Sequence, residues 1–236
     1  MQRDNCKKAW AVSLAIVMIL AFVFQGSRGL WEPDEGRYVR CAYEMLKTGN
    51  WATPTINYKP HFTKPPITYW VIASGLSLFG KNEWGARFFH GLAFALTAML
   101  VGLLGRNMWN DRTGLLACLV YATTVMPFAA GNAVTADSIL TLFETLAVFC
   151  FWMSMTGRGR IFQRSLWALA MWFFFGVAFM TKGPAGLLPL VAVVAYFHIL
   201  RKARRLPVGV NLLGIVLFAI TSLWWYAMVA QQHEGL

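Results

Sequence analysis

The chain has 236 residues, 58% of them apolar and only 13% charged, with a formal net charge of +11. Soluble domains carry roughly a quarter charged and about half apolar residues, so this composition, with a mean hydropathy of +0.51, excludes a disordered chain and a conventional soluble globule. The basic residues stand in short clusters between apolar runs, which membrane topology explains and a nucleic-acid partner does not.

A transmembrane helix needs about 20 mostly apolar residues. Seven segments fit, at residues 9–25, 86–105, 114–130, 137–155, 165–180, 184–200 and 208–230. The expected fold is therefore an all-α integral membrane bundle of about seven spans, organised as one transmembrane module over 1–236. The first run follows Lys7 and Lys8, as in a signal peptide. Its apolar core is long and no A-x-A site follows, so a retained anchor is expected. Cys6, Cys41, Cys118 and Cys150 lack metal-binding or CxxC spacing, which speaks against a disulfide framework or a zinc knuckle.

The connections alternate in charge. Arg3, Lys7 and Lys8, then Arg106 and Arg112, then Arg158, Arg160 and Arg164, then Arg201, Lys202, Arg204 and Arg205 fall on one face, against Asp4 and Asp111 alone. The positive-inside rule makes that face cytoplasmic. The opposite face holds the segment 26–85 and short turns near 131–136 and 181–183. A further apolar run at 67–80 is short for a span. If it crossed, every later arginine cluster would change sides, so it is expected to lie at the interface or re-enter, anchored by Tyr69 and Trp70.

A loop of about sixty residues exceeds a simple connection and marks function. Within it, Pro33 suits a first helical position, and Tyr38, Cys41, Ala42, Met45 and Leu46 follow at helical spacing. Gly49 supplies a stop. The prediction is a short amphipathic helix on the outer membrane surface.

That helix opens with Trp31-Glu32-Pro33-Asp34-Glu35-Gly36-Arg37-Tyr38. Asp34 and Arg37 share a face. Either they form a surface pair with first-turn acids that complement the helix dipole, or a carboxylate sits there to activate an acceptor beside a phosphate-gripping guanidinium. Next comes His61-Phe62-Thr63-Lys64-Pro65-Pro66, where the prolines hold Lys64 extended. Lys64 either snorkels ahead of an interfacial helix or meets an anionic lipid head group. Thr135 and Asp137 open the fourth span, as a cap and a dipole partner or as part of a site. In Thr181-Lys182-Gly183-Pro184, a turn needs the glycine and proline but not the lysine. Asp34, Arg37, Lys64, Asp137 and Lys182 are all expected at the outer boundary. Carboxylates with several cations suit an anionic lipid donor and an acceptor that must lose a proton.

Three further groups lie on the spans. Glu144 is two turns past Asp137, about 10 Å deeper, and is either functional or a protonated, hydrogen-bonded carboxyl. His90 is read as a buried structural histidine. Glu83 and Arg87 are expected to form an i,i+4 pair.

Asp34-Glu35-x-Arg37-Tyr38 after the first span, Lys64-Pro65-Pro66, Thr135-x-Asp137 and Thr181-Lys182-Gly183-Pro184, in that order between about residues 29 and 186, resemble the protein O-mannosyltransferase-like family, and within it the bacterial lipid A aminoarabinose transferases. The resemblance implies a GT-C glycosyltransferase that takes a sugar from a polyprenyl-phosphate donor and inverts the anomeric centre, at the periplasmic face of a bacterial inner membrane. It implies a glycolipid such as lipid A, or a protein hydroxyl, as acceptor. Carried over, Asp34 is the essential carboxylate that orients or deprotonates the acceptor, and Glu35 assists it or shapes the acidic motif. Arg37, Lys64 and Lys182 bind the donor phosphate, with Tyr38 beside them, and Asp137 orients the lysine or acceptor side. In the aminoarabinose branch, a glutamate contributing to a metal site usually precedes Lys-Pro-Pro. Here that residue is Thr63, with His61 nearby, so no cofactor is carried over and a divalent metal is left open.

Family members usually have eleven or more spans and a C-terminal soluble domain. The resemblance therefore implies that this chain corresponds to the shared N-terminal module, as a fragment, a subunit completed by a second one, or a protein without activity. The rival reading is a non-catalytic polyprenyl-phosphate-binding or accessory subunit. A transporter is disfavoured, because no repeat is evident and most acids gather at one surface.

Overall fold

The computed structural model describes residues 2–156, 160–200 and 208–232. Arg158, Arg201, Lys202, Arg204 and Arg205, counted above toward the basic face, lie outside the described residues, as does the side chain of Arg3. The elements are α1 (Gln2–Phe22), α2 (Asp34–Thr48), a two-residue antiparallel pair β1 (Thr55–Ile56) and β2 (Lys59–Pro60), α3 (Ile67–Phe79), α4 (Glu83–Met108), α5 (Asp111–Thr123), α6 (Val125–Gly131), α7 (Asp137–Thr156), α8 (Ile161–Lys182), a 3-10 turn (Gly183–Leu187), α9 (Leu188–Leu200) and α10 (Val208–Gln232). The all-α membrane architecture is as expected. Among the described residues four stretches are long and apolar enough to cross a bilayer, or five with the bent pair α5–α6 counted once.

The chain divides into two compact units. The first comprises Met1–His61 and Thr68–Leu142. Its centre is α4, which packs against α1, α5 and α6. Lipid gives helices no hydrophobic reason to associate, so close approach of small residues takes over. A Cβ on Gly114 of α5 would lie 2.6 Å from the Gly102 carbonyl oxygen of α4, and one on Gly91 of α4 would lie 2.5 Å from the Ala21 carbonyl oxygen of α1. Val17, Ala21, Phe94, Ala95, Ala98, Cys118 and Ala122 fill the seam.

The run 114–130, expected as one span, is broken: α5 and α6 meet at 64°. Pro127 is the cause. In a continuous helix its ring would meet the Thr123 carbonyl and its missing N–H would leave that carbonyl unbonded, so the chain turns extended at Thr124 (φ −73°, ψ 133°).

In the loop after α1, the predicted helix is present as α2. Gly49 ends it in the left-handed region (φ 71°), with its N–H on the Met45 carbonyl. Its apolar stripe packs on α3: Cys41 and Met45 meet Tyr69, while Ala42 meets Ile72, Ala73 and Leu76. Tyr69 is thus buried within the protein and is no interfacial anchor, whereas half-buried Trp70 donates to the Trp51 carbonyl at 2.7 Å. With 13 residues, α3 is about 20 Å long, short of the roughly 30 Å hydrocarbon layer.

The second unit comprises Phe62–Ile67 and Phe143–Leu236. Here α8 lies along α10, and Phe175, Met171 and Ala168 of α8 join Ala147, Cys150, Phe151 and Met155 of α7 in one core with Val193. At Gly183 (φ 64°) α8 ends. The chain then turns back, since a Cβ on Gly186 would lie 2.5 Å from the Ala178 carbonyl carbon eight residues earlier. That reversal divides the apolar stretch Ile161–Tyr196 at the predicted Thr-Lys-Gly-Pro turn.

Overpacking a seam bounded by backbone cannot be relieved by a rotamer change. Gly114→Val is therefore expected to destabilise the detergent-solubilised protein by about 1–3 kcal/mol, read as a lower thermal unfolding midpoint. Gly209→Ala, with nothing within 4 Å of the new Cβ, leaves the midpoint unchanged or slightly raised.

Candidate functional site

At the start of α2 the two adjacent acids have opposite surroundings. Asp34 is exposed, and its Oδ1 takes a 2.5 Å bond from the Arg37 guanidinium, itself exposed. Glu35 points inward and is 2% exposed. Its Oε1 accepts from Arg87 Nε (3.1 Å), Arg28 (3.2 Å) and the Val134 N–H (2.8 Å). Its Oε2 accepts from Arg28 (2.5 Å), Arg87 (3.0 Å) and the Trp31 N–H (2.8 Å). Burial alone would push the carboxyl pKa up, but the bonds from Arg87, Arg28 and the two amides outweigh it and lower it from 4.5 to about 2. Of the two roles expected for Glu35, the geometry supports shaping the motif: neither oxygen is left to meet a substrate.

Arg87 is fully buried on α4 and also donates to the carbonyls of Gln25, Arg28 and Gly29, each at 2.9 Å. The expected Glu83–Arg87 helix pair does not form. The inward face of α4 sends Arg87 to a carboxylate 52 residues away, and Asn82 caps the helix by accepting the Gly85 N–H at 2.8 Å. Arg28 donates to the Asn132 carbonyl at 3.0 Å and lies 4.0 Å over the Trp31 ring. Local sequence pattern does not mark Arg28 or Arg87 as site-forming. The available signal was an arginine two residues inside an apolar run, whose partner had to be sought beyond its own helix.

Because the Val134 amide is bonded to Glu35, the turn leading into α7 is fixed with α2. Asp137 opens α7, its N–H on the Thr135 hydroxyl at 3.3 Å, as the capping reading expected. Tyr38 is half-buried, its ring 5.9 Å from that of Tyr69. Burial raises the Tyr38 hydroxyl pKa, and the charges of Asp137 and Asp34 raise it further against Arg37. Burial lowers the His61 pKa, as does the nearby Arg37 charge. The first unit therefore gathers Asp34, Arg37, Tyr38, His61 and Asp137 into one patch above the buried Glu35.

The second unit carries the lysines. Lys64 and Lys182 are both half-buried. Phe62 and Ile67, on either side of Lys64, pack against Met180, Trp225 and Val229. Met180 is two residues before Lys182, so the two lysine-bearing segments share one cluster. Gly183 adjoins the Tyr226 hydroxyl, 3.7 Å from where a Cβ would stand. His90 is fully buried in α4, within reach of the Glu35 and Arg87 charges and of Thr135, as the reading of a buried structural histidine expects, and Glu144 is a half-buried residue of α7. Among the described residues no three His, Cys, Asp or Glu side chains come together to hold a metal, and Thr63 stands before Lys64. These residues do not fit a metal site.

Removing one partner of a buried ion pair strands the other. Arg87→Met is expected to destabilise the protein by about 3–5 kcal/mol, measured by denaturation in detergent. The Glu35 carboxyl binds protons more weakly folded than unfolded. Its stabilisation is complete above about pH 4.5 and drains as the pH falls toward 2. Unfolding midpoints measured between pH 6 and pH 3 should fall more steeply in the wild type than in Glu35→Gln.

Residues 9–233 match the family described as dolichyl-phosphate-mannose-protein mannosyltransferase. A Pseudomonas fluorescens protein named undecaprenyl phosphate-alpha-4-amino-4-deoxy-L-arabinose arabinosyl transferase 2 is 32% identical over 230 residues, 96% of this chain and 42% of that protein. The Proteus mirabilis protein of the same name is 34% identical over 238 residues, 98% of this chain and 42% of its own. The crystal structure of ArnT from Cupriavidus metallidurans superposes with a TM-score of 0.86 at 28% identity in the apo state. Bound to undecaprenyl phosphate it gives 0.87 at 29% identity, covering 96% of this chain and 42% of that one. The chain thus spans less than half the length of the relatives it matches. It is a multi-pass membrane protein with the GT-C architecture, and it belongs to the dolichyl-phosphate-mannose-protein mannosyltransferase family.

Proposed function

We propose that this chain carries the chemistry-bearing membrane module of a glycosyltransferase that moves a sugar from a polyprenyl-phosphate donor to a lipid A-like glycolipid at the periplasmic face of a bacterial inner membrane. The observation that carries this reading is the match of 96% of the chain to ArnT solved with undecaprenyl phosphate, at a TM-score of 0.87. The relatives named as aminoarabinose transferases support the same donor and acceptor class. Sidedness rests on Lys7, Lys8, Arg106, Arg112 and Arg160, which lie at helix ends away from α2 in sequence and follow the positive-inside rule.

Asp34 is the reacting carboxylate. As the bond from the sugar's anomeric carbon to the donor phosphate breaks, the acceptor oxygen forms the new bond from the opposite face, and Asp34 orients that oxygen or takes its proton. The Asp34–Arg37 pair is exposed, and such pairs contribute at most about 1 kcal/mol, so substrate can displace it at little cost. Arg37, Lys64 and Lys182 meet the donor phosphate and neutralise the charge that grows on it as it leaves. Tyr38 stands with these phosphate-binding groups, and Asp137 orients the lysine or acceptor side. Glu35 holds Asp34 in place and takes no part in bond making.

Purified protein given a labelled polyprenyl-phosphate sugar and lipid A is expected to consume the donor, and Asp34→Asn to slow this about 10²–10⁴-fold. Equal turnover by both would overturn the assignment. Lys64→Ala and Lys182→Ala should each weaken donor binding about tenfold or more, as loss of a charge-assisted bond requires. Donor binding with no transfer by the wild type would favour the binding-subunit reading instead.

A further inference from the structure

The first unit has a second charged end. Along α4, Arg106 follows Arg87 by 19 residues, a rise of about 28 Å, close to the thickness of a bilayer's hydrocarbon core. There the start of α1 and the α4–α5 turn border an open cavity of about 1220 Å³, with Lys7, Trp10, Arg106, Asp111, Arg112 and Leu115 in its wall. Arg106 Nε is 2.8 Å from Asp111 Oδ1, so that pair is neutralised. Among the described residues no acid pairs with Lys7 or Arg112, which leaves the cavity with two positive charges in excess. Trp10 adds an indole N–H that is buried and has no acceptor among the described residues. Leu115 adds an apolar side chain to the wall, and Leu116, the next residue of α5, and Val12 of α1 are exposed.

Unpaired cations at a water–lipid boundary, on helices that also expose apolar side chains, suit one kind of molecule. We propose that this cavity binds the phosphate of an anionic membrane phospholipid, with Lys7 and Arg112 meeting the charge and the acyl chains lying along α1 and α5. Basic pockets between transmembrane helices on the cytoplasmic side attract such head groups. A free phosphate would meet the same cations but gain nothing from Val12, Leu115 and Leu116. The site lies in a different cavity from the acidic patch and does not depend on the transferase reading.

Native mass spectrometry of the full chain in detergent, supplemented with dioleoylphosphatidylglycerol or dioleoylphosphatidylcholine, tests this. The wild type should retain the phosphatidylglycerol at least tenfold more than the phosphatidylcholine, and inorganic phosphate at the same concentration should leave the lipid in place. The double variant Lys7→Gln/Arg112→Gln should lose phosphatidylglycerol about tenfold and hold phosphatidylcholine as before, while Lys59→Gln, on exposed β2, changes neither. Equal retention of the two lipids by the wild type would overturn the proposal without reference to any variant. So would unchanged phosphatidylglycerol binding by the double variant, or displacement of the lipid by inorganic phosphate.

Discussion

A single buried carboxylate holds the first unit together. Glu35 lies between two guanidiniums, and its remaining lone pairs are filled by the amides of Trp31 and Val134. Four stretches therefore meet at one side chain: the segment after α1, the first turn of α2, the inward face of α4 and the turn before α7. None can leave without exposing an uncompensated charge to a dry interior, a cost of several kcal/mol. Asp34 is covalently next to this anchor and Asp137 is three residues past Val134, so both exposed acids inherit its rigidity.

The arrangement separates buried charge pairs from exposed ones. The strong, desolvated interactions go to Glu35, Arg28 and Arg87. The weak, solvated one goes to Asp34 and Arg37, an exposed pair worth at most about 1 kcal/mol. The proposed transfer from an anionic lipid would benefit from that division, since preorganised groups need not rearrange when charge develops. The second unit uses packing instead: Phe62 and Ile67 are seated among Met180, Trp225 and Val229, which fixes the backbone on either side of half-buried Lys64.

Much of this was legible in local pattern. The α2 helix was readable because its stripe is amphipathic and Gly49 stops it, and the Thr-Lys-Gly-Pro reversal because only glycine adopts its φ readily. The break between α5 and α6 was written in Pro127 but masked by an unbroken apolar run. What local pattern does not carry is long-range pairing. Arg87 has Glu83 one turn away, and helix spacing names that pair; its real partner is 52 residues distant because the inward face of α4 demands a buried counter-charge. Glu35 and Asp34 look alike as first-turn acids, yet the 100° between neighbouring helix positions sends one into the protein and the other to solvent. Tyr69 likewise reads as an interfacial aromatic until α2 is seen to cover it.

The account's central claim is that Glu35 and Arg87 act as one unit that sets the acidic patch. A double-mutant cycle with Glu35→Leu, Arg87→Leu and the double variant, followed by unfolding in detergent, tests it most directly. The account predicts a large favourable coupling, with the double variant more stable than the sum of the two single losses by at least about 2 kcal/mol. Strictly additive losses would contradict it, because they would mean that the two charges do not depend on each other.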